Sequence, residues 1–266
     1  MTRERLEALL VERGLAPTRA HARAAVMAGE VRVDGQPAAK AGALVNRGAA
    51  LTLEPRRRRY ASRGGTKLAH ALATFGLNTA GIVALDVGAS TGGFTDALLQ
   101  GGAARVYAVD VGTGQLDWRL RRDPRVVVRE RTHAARLTEA AVPEPVDLAT
   151  VDVSFISLRR VLPAVAARLR PGGEILALVK PQFEARRELL RGGVVRSPEA
   201  HLAVLRRIAA WVIDQGWGIA GITPSPLAGP KGNREFFLWI RTTPPSGNDP
   251  AAAMDALIAS AVAAPP

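Results

Sequence analysis

The feature that most constrains the fold is a series of short apolar segments that alternate with helical segments from residue 82 onward. Short apolar strands separated by helices are typical of a mostly parallel sheet that helices cover on both faces. The sequence therefore predicts an α/β fold for this part of the chain. The predicted strands are Ile82–Val87, Val106–Val109, Val126–Val128, Val146–Val151, Ile175–Val179, Ile219–Ile222 and Phe236–Ile240, and the clearest helices between them are Leu158–Leu169 and Pro198–Gln215.

The first 54 residues predict a separate, smaller α+β unit, in which two short helices precede a β-hairpin. An Asp-Gly pair between alternating apolar residues is a strong hairpin signal. The expected elements are a helix ending at Gly14, a helix over Arg19–Met27, a hairpin turn at Asp34-Gly35 and a last strand over Leu51–Leu53.

Basic charge is concentrated in the same segment. Residues 1–59 hold 12 Arg and Lys but only six Asp and Glu, so about a fifth of the chain carries half of the net charge of +12. Such a module indicates a polyanionic partner, most often nucleic acid. The segment resembles the S4 RNA-binding domain. We predict RNA contacts for Arg19 and Arg23, four residues apart on one helical face, and for Arg63 further along the chain.

A change of composition divides the chain. Pro55 and the run Arg56–Arg59 predict a boundary, so we expect an RNA-binding domain over 1–54, a basic linker over 55–63, the α/β domain over 64–243 and a Pro/Ala-rich tail over 244–266.

Composition excludes several classes of protein. The chain has no Cys, which rules out a disulfide framework, a thiolate zinc site and a Cys nucleophile. No apolar run approaches the ~18 residues of a transmembrane helix, and the charged N-terminus lacks the apolar stretch of a signal peptide. We therefore expect a soluble, cytoplasmic protein that does not act at a membrane.

A glycine-rich loop follows the first predicted strand of the α/β domain. Its sequence runs Asp86-Val87-Gly88-Ala89-Ser90-Thr91-Gly92-Gly93, which is not G-x-G-x-x-G because position 90 is Ser. The D-x-G-x-x-x-G-G pattern resembles the loop of S-adenosylmethionine (SAM)-dependent methyltransferases, whose sheet is Rossmann-like. Asp110 ends the next strand, where an acidic side chain can accept both ribose hydroxyls of a nucleoside. The predicted cofactor contacts are Asp86, Gly88, Ser90, Gly92, Gly93 and Asp110, and His133 is a candidate for the adenine edge.

Three more polar residues fall at strand ends. Asp152 ends the fourth strand, Lys180 ends the fifth, and Glu235 directly precedes the last strand, while Lys67 belongs to a helix outside the sheet. Ligands of such sheets bind beyond the carboxyl ends of the strands, and a last strand that runs antiparallel would begin at that edge. We therefore expect these side chains to meet there.

The order Lys67, Asp152, Lys180, Glu235 resembles the K-D-K-E tetrad of the FtsJ/RrmJ-like RNA 2′-O-methyltransferases. Together with the S4-like front, the surrounding phrases resemble the TlyA family, also labelled haemolysin A, whose members are rRNA cytidine-2′-O-methyltransferases. The phrases are SRGGTKL, DVGASTGGFTD, VDVSFISL, VKPQFEA, RGGVVRSP and GPKGNREF. The resemblance implies SAM as cofactor and ribosomal RNA or a ribosomal subunit as partner.

The implied chemistry is removal of a proton from a ribose 2′-OH, which is a weak acid and a poor nucleophile. A lysine can act as base only if it can release its own proton near neutral pH, which burial and a second nearby cation favour. We assign Lys180 as the base and Lys67 as its partner. Asp152 is expected to bridge the two lysines, and Glu235 to orient Lys180 or the ribose. The sulfonium already makes a good leaving group, so no metal is expected.

Two alternatives remain open. One is an RNA-binding protein that keeps the methyltransferase fold without activity, and the other is a membrane-lytic protein, as the haemolysin label suggests.

The chain is also unusual in its cations, since it has 32 Arg and only four Lys. The lysines are Lys40, Lys67, Lys180 and Lys231, and each is a candidate for a position where Arg would fail.

Overall fold

The computed structural model describes residues 2–27, 29–53, 59–243 and 250–265. The chain divides into two compact units, Met1–Arg59 and Tyr60–Pro266. Residues 55–58 of the predicted basic linker lie outside the described residues. Within the described residues, no helix is both long and apolar enough to cross a membrane.

The first unit combines two helices with two small sheets. Strand β1 pairs antiparallel with β4, while β2 lies between β3 and β5. The predicted hairpin is confirmed, since Asp34 and Gly35 both have positive φ, as a tight turn of this kind requires. The elements are β1 Arg3–Arg5, α1 Leu6–Glu12, α2 Arg19–Met27, β2 Val31–Val33, β3 Gln36–Pro37, β4 Leu44–Asn46 and β5 Leu51–Leu53.

The second unit alternates strands and helices, as the sequence predicts. Short 3₁₀ turns connect several of these elements. The strands are β6 Val83–Val87, β7 Arg105–Val109, β8 Val126–Arg129, β9 Val146–Val151, β10 Leu169–Val179, β11 Gly218–Pro224 and β12 Phe236–Arg241. The helices are α3 Arg63–Phe75, α4 Gly93–Gln100, α5 Trp118–Arg121, α6 Leu162–Ala166, α7 Pro181–Glu184, α8 Pro198–Asp214 and α9 Pro250–Ala263.

The seven strands form one sheet in the order β11-β12-β10-β9-β6-β7-β8. Strand β12 runs antiparallel to both of its neighbours, β10 and β11, while the other pairs of described strands in this sheet are parallel, so the predicted antiparallel last strand is confirmed. The strand order reverses between β6 and β9, because β7 and β8 continue on one side and β10 on the other. In such sheets the crevice at the reversal point, beyond the carboxyl ends of the strands, is where ligands bind.

Side chains that alternate along each strand feed two hydrophobic clusters on opposite faces of the sheet. Along β10, Ile175 and Ala177 belong to one cluster, whereas Leu176 and Leu178 belong to the other. The first cluster packs beneath α6, α8 and α9, and the second beneath α3 and α4. The strands are therefore held rigidly from both sides, which fixes the positions of the residues at their ends.

Two regions differ from the sequence-based expectation. The predicted helix Leu158–Leu169 is not continuous, but consists of a 3₁₀ turn over Leu158–Arg160 followed by the short helix α6. The break arises because Pro163 lies in the first turn of α6, where it favours the start of a helix, and Leu169 already begins β10. The predicted tail contains a helix, α9, whose Met254 and Ile258 are buried in the first cluster. Arg234 fixes its end by donating hydrogen bonds to the carbonyls of residues 261 and 262.

Candidate active site

The glycine loop between β6 and α4 is pressed against other backbone. Gly88 has a φ of +86°, and a Cβ added there would lie 2.4 Å from the carbonyl oxygen of Asp152. A Cβ added at Gly93 would lie 2.2 Å from Ser62 Oγ and 2.8 Å from the amide nitrogen of Gly65. A side chain at Gly88 would push the loop away from the end of β9, and one at Gly93 would push it away from the start of α3, so glycine is required by the packing.

Helix α3 brings Lys67 to this loop. Ser62 caps the helix by accepting a hydrogen bond from the amide of Gly64. Gly65 lies so close to Tyr60 and to the carbonyl of Gly93 that a Cβ there would approach within 2.3 Å and 2.8 Å of them. The SRGG sequence therefore allows α3 to approach the glycine loop, and Lys67 follows within the same helix.

The four predicted catalytic residues form two ion pairs at the carboxyl edge of the sheet. Lys180 Nζ lies 2.6 Å from Asp152 Oδ1 and donates a hydrogen bond to Ser154 Oγ at 2.8 Å. Lys67 Nζ lies 2.5 Å from Glu235 Oε2. Glu235 is fully buried, whereas the side chain of Asp152 is 24 % exposed. The first pair therefore has access to solvent, and the second pair is held inside the protein.

This pairing corrects two expectations about roles. Asp152 contacts Lys180 and does not bridge both lysines, and Glu235 holds Lys67 rather than Lys180, while the other expected role of Glu235, orienting the ribose, stays a prediction. Topology alone does not decide this pairing, because β10 lies between β9 and β12 and Lys180 is next to both Asp152 and Glu235; Glu235 pairs with Lys67 because α3 brings that lysine to the same edge. Lys67 and Asp152 nevertheless line one cavity, so the two pairs belong to one site.

Three adjoining cavities follow this edge. One of about 560 Å³ is lined by Gly88, Ser90, Asp110 and His133, among others, and one of about 420 Å³ by Lys67 and Asp152. These two share Gly88, Ser90 and Asp152. A third cavity of about 400 Å³ includes Glu235 and shares Ala228 and Lys231 with the second. The site is thus a continuous cleft, with the ion pairs near its middle.

The cleft separates the predicted cofactor residues into two groups. Gly88, Ser90, Gly93 and Asp110 line it, but Asp86 and Gly92 do not. Gly92 has a φ of +92°, and a Cβ there would meet Leu120 at 2.3 Å, so it needs to be glycine for its conformation and for packing under α5. The prediction that Asp86 and Gly92 contact a cofactor therefore does not match their positions, and both support the loop from behind.

Asp86 is completely buried at the end of β6. It accepts hydrogen bonds from Thr95 Oγ1 at 2.6 Å and from Thr150 Oγ1 at 3.2 Å. Burial raises the pKa of Asp86 to about 7, although these hydrogen bonds act in the opposite direction. The carboxyl group therefore ties α4 and β9 to the strand that carries the glycine loop.

Asp110 contacts the same loop from the cleft side. Its two carboxylate oxygens accept hydrogen bonds from the amides of Ser90 at 2.8 Å and Gly112 at 2.7 Å. A carboxylate has about four acceptor sites, so two remain for a ligand. Val111 next to it is 69 % exposed and lines the 560 Å³ cavity, as does His133, whose ring caps a 3₁₀ turn.

Sequence reasoning missed an aromatic pair beside Lys180. Phe155 has a φ of +63° and is 91 % exposed, and its ring lies 5.0 Å from that of Phe183. The loop that carries Phe155 is fixed by the buried Glu184, which accepts hydrogen bonds from Ser157 Oγ at 2.7 Å and from the Leu158 amide at 2.6 Å. The phrases VDVSFISL and VKPQFEA contain these residues, but only the structure shows their contact.

The predicted RNA contacts have different surroundings. Arg19 is exposed on α2, whereas Arg23 donates a hydrogen bond to the buried Glu7 at 3.3 Å. Arg63 lines the cavity of the ion pairs and donates a hydrogen bond to the carbonyl of Ala228 at 3.2 Å. Among the described residues, no group of three or more His, Asp or Glu side chains could hold a metal ion.

Comparison with protein families matches both units. The model of the FtsJ-like methyltransferase family matches residues 60–242, and that of the S4 domain matches residues 4–51. The chain is 48 % identical over 242 residues to the 16S/23S rRNA (cytidine-2′-O)-methyltransferase TlyA of Mycobacterium tuberculosis, covering 90 % of both chains. It is also 48 % identical over 240 residues to "Putative rRNA methyltransferase YqxC" of Bacillus subtilis, covering 90 % of this chain and 85 % of that one.

A solved structure extends this similarity to the fold. "Putative hemolysin from Streptococcus thermophilus" superposes with a TM-score of 0.74 at 42 % sequence identity, covering 98 % of this chain and 96 % of that one. The predicted combination of an S4 domain with a Rossmann-like methyltransferase sheet is therefore confirmed.

Proposed function

This chain belongs to the TlyA family of FtsJ-like methyltransferases, and from that premise we propose that it transfers a methyl group to the ribose 2′-oxygen of a cytidine in ribosomal RNA. The observation that carries the proposal is the pair of lysine–carboxylate contacts beside the glycine loop. The relatives named as rRNA methyltransferases support the substrate class, and that substrate places the proposed activity in the cytoplasm.

The residues of the cleft fit SAM. The 560 Å³ cavity combines the free acceptor sites of Asp110 with the apolar surface of Val111, which suits an adenosine group. The loop from Gly88 to Gly93 leads from there into the cavity of the ion pairs and would hold the amino-acid end. When bound, SAM supplies an electrophilic methyl group on a sulfonium.

Lys180 takes the proton of the ribose 2′-OH in this proposal. Its nitrogen is held in one place by Asp152 and Ser154, and once the ammonium group has released a proton to solvent, the neutral amine accepts the 2′-OH proton at that fixed position. Asp152 also lines the cavity where the glycine loop lies, which brings the base next to the place of reaction. Precise orientation and proton removal are the two contributions that a poor nucleophile requires.

Lys67 acts as a fixed positive charge. Its pairing with the fully buried Glu235 means that removing either partner would leave a charge uncompensated, at a cost of about 3–5 kcal/mol. We propose that Lys67 donates a hydrogen bond to the attacking oxygen and keeps the hydroxyl in line with the methyl group. Glu235 holds Lys67 in that position.

Two features of the cleft suit an RNA substrate. The exposed ring of Phe155 offers a stacking surface for a base that has left its helix, and stacking of this kind contributes about 1–3 kcal/mol. Arg63 adds a cation at the cavity. In the first unit, Arg19 presents its charge on the surface of α2, where it can reach a phosphate.

Methylation of purified ribosomal subunits and of naked rRNA, with isotopically labelled SAM, tests the proposal. The expected result is 2′-O-methylcytidine, identified by mass spectrometry after nuclease digestion. Methyl transfer to a base, or SAM binding without any transfer, would contradict the assignment. The second outcome would favour the reading as an inactive RNA-binding protein.

A further inference from the structure

Lys231 is one of four lysines in a chain that otherwise uses Arg, and the proposed catalytic steps do not involve it. It lies in the turn between β11 and β12, two residues before Asn233 and four before Glu235. Its side chain is exposed, and it makes no ion pair or hydrogen bond with any residue that the structure describes. An unpaired cation beside a catalytic cleft is a candidate for contact with an anionic ligand.

The turn that carries Lys231 is strained and tightly held. Lys231 has a φ of +57°, which costs about 1 kcal/mol or more for a residue with a side chain. The buried Asn233 fixes the turn, since it donates a hydrogen bond to the carbonyl of Gly193 and accepts one from the amide of Val195, both at 3.2 Å. The backbone of this turn therefore fixes the point at which the Lys231 side chain leaves the chain.

The cavity next to Lys231 is dominated by positive charge. Lys231 separates the 420 Å³ cavity of the ion pairs from the outer 400 Å³ cavity and lines both. The outer cavity also includes Arg196 and Arg234, and its carboxylate, Glu235, is already paired with Lys67. The remaining charge of this cavity is therefore positive and favours an anion.

A buried polar atom in the same wall lacks a partner. His201 is 4 % exposed, and its Nε2 atom forms no hydrogen bond with the described residues. Burial lowers the pKa of His201, with a further contribution from Arg234, so the ring is neutral at pH 7. A neutral ring nitrogen without a partner is costly to bury unless a ligand completes its hydrogen bonding.

We propose that the outer cavity binds the nucleotide next to the methylated one, and that Lys231 contacts the phosphodiester between the two. The inference rests on the proposed function, because it places the RNA backbone across the boundary that Lys231 forms between the two cavities. Lys231 is then a substrate-binding residue that acts through charge.

The test uses the full chain and an rRNA substrate, and compares Lys231→Gln with Lys231→Arg. KM for RNA is measured as a function of salt, together with kcat at saturating RNA. Lys231→Gln is expected to raise KM and to reduce the slope of log KM against log salt by about 0.7–0.9, the value for one phosphate contact. Lys231→Arg keeps the charge and is expected to restore the slope, while kcat changes little in either variant.

Arg170→Gln is the matched control, since it also removes one positive charge. Arg170 lies at the start of β10, the end of the strand away from the cleft, where it pairs with Asp147. The salt slope of this variant should equal that of the wild type. Calorimetric SAM affinity checks that each variant is folded.

An unchanged slope in Lys231→Gln, with wild-type methylation intact, would overturn this inference and leave the proposed function standing. If inorganic phosphate competes with RNA while the slope of Lys231→Gln stays unchanged, the cavity takes free anions and the proposal is equally wrong. Absence of methylation by the wild type would instead contradict the proposed function itself.

Discussion

The ion pairs of the two units differ in how far the cation is exposed. In the first unit, Arg47 is 53 % exposed where it contacts Glu4 and Glu12, and even the buried Glu7 is paired with arginines, Arg5 and Arg23, that are more than half exposed. In the second unit, Lys67 is paired with a carboxylate that has no exposure at all. Exposed pairs contribute little and exchange easily for other anions, whereas a buried pair holds its partners in one geometry. The first arrangement suits reversible contact with phosphates, and the second suits chemistry at a fixed point.

The two units also differ in the size of their hydrophobic cores. The first unit has strands of two or three residues around a small cluster that includes Leu6, Leu10 and Val31. The second has a seven-stranded sheet with apolar clusters on both faces. Rigid strand ends in the second unit can hold catalytic groups to within fractions of an ångström, as efficient catalysis requires.

The largest expected effect comes from Lys180→Arg in the second unit. Arg keeps the charge but cannot release a proton near neutral pH, so kcat should fall by about 10²–10⁴-fold. SAM and RNA affinities should stay close to the wild-type values, as measured by calorimetry and filter binding. Lys40→Arg, the same change in the first unit, is the control and should leave kcat unchanged. Wild-type turnover by Lys180→Arg would reduce Lys180 to an electrostatic anchor.

Removal of the first unit should change RNA affinity, which Lys180→Arg leaves close to the wild-type value. A chain that begins at Tyr60 is expected to bind RNA more weakly and with a flatter salt dependence, because fewer phosphates are neutralised. Its affinity for SAM should not change, since the cleft belongs to the second unit. Equal affinity and equal salt slope for the two chains would refute the assignment of RNA binding to the first unit.

Two single substitutions in α2 test the assignment of RNA binding to individual arginines. Arg19→Gln should reduce the salt slope of RNA binding without changing stability, because Arg19 is exposed. Arg23→Gln should also lower the free energy of unfolding, by about 0.5–1 kcal/mol, because Arg23 is one of two exposed arginines that contact the buried Glu7. Urea unfolding separates the two variants. Equal stability in both would show that the Arg23–Glu7 contact contributes nothing.

The last prediction concerns Asp86 and the pH dependence of stability. Its pKa of about 7 in the folded state exceeds its ordinary value of 3.8, so the folded protein binds more protons between these pH values. The contribution of Asp86 to stability therefore falls as pH rises from about 4 to 7, by at most about 1.4 kcal/mol per pH unit, and is constant above that range. Asp86→Asn should lack this fall, so the stability of the variant relative to the wild type should increase as pH rises from about 4 to 7.

The control for Asp86 is Asp214→Asn, at the exposed end of α8. Urea unfolding at a series of pH values should give parallel curves for this variant and the wild type. Parallel curves for Asp86→Asn as well would contradict the raised pKa of Asp86.

Much of this arrangement could be predicted from sequence, because strand periodicity and topology rules determine where strand ends lie. Asp152, Lys180 and Glu235 reach one sheet edge as expected. Their pairing could not be predicted, since Glu235 pairs with Lys67 only because α3 packs against the glycine loop. The burial of Asp86 and the packing of Gly92 were missed for a similar reason, because a motif shows spacing but does not show which side faces the cleft.

Helix α9 shows a different limit. Residues 244–266 are rich in Pro and Ala and carry weak amphipathic periodicity, so sequence reasoning predicts only a tail. The helix is instead stabilised by tertiary contacts, namely the burial of Met254 and Ile258 and the hydrogen bonds from Arg234. Such contacts override local propensity and become visible only in the folded chain.

The most direct test of the central claim, proton removal by Lys180, is the pH dependence of the single-turnover rate at saturating SAM and RNA. The wild-type rate should rise about tenfold per pH unit and then reach a plateau, as expected when one base must lose its proton. In Lys180→Arg this rising limb should disappear or move out of range. A wild-type rate that does not change with pH, or a limb that persists unchanged in Lys180→Arg, would contradict the assignment of Lys180 as the base.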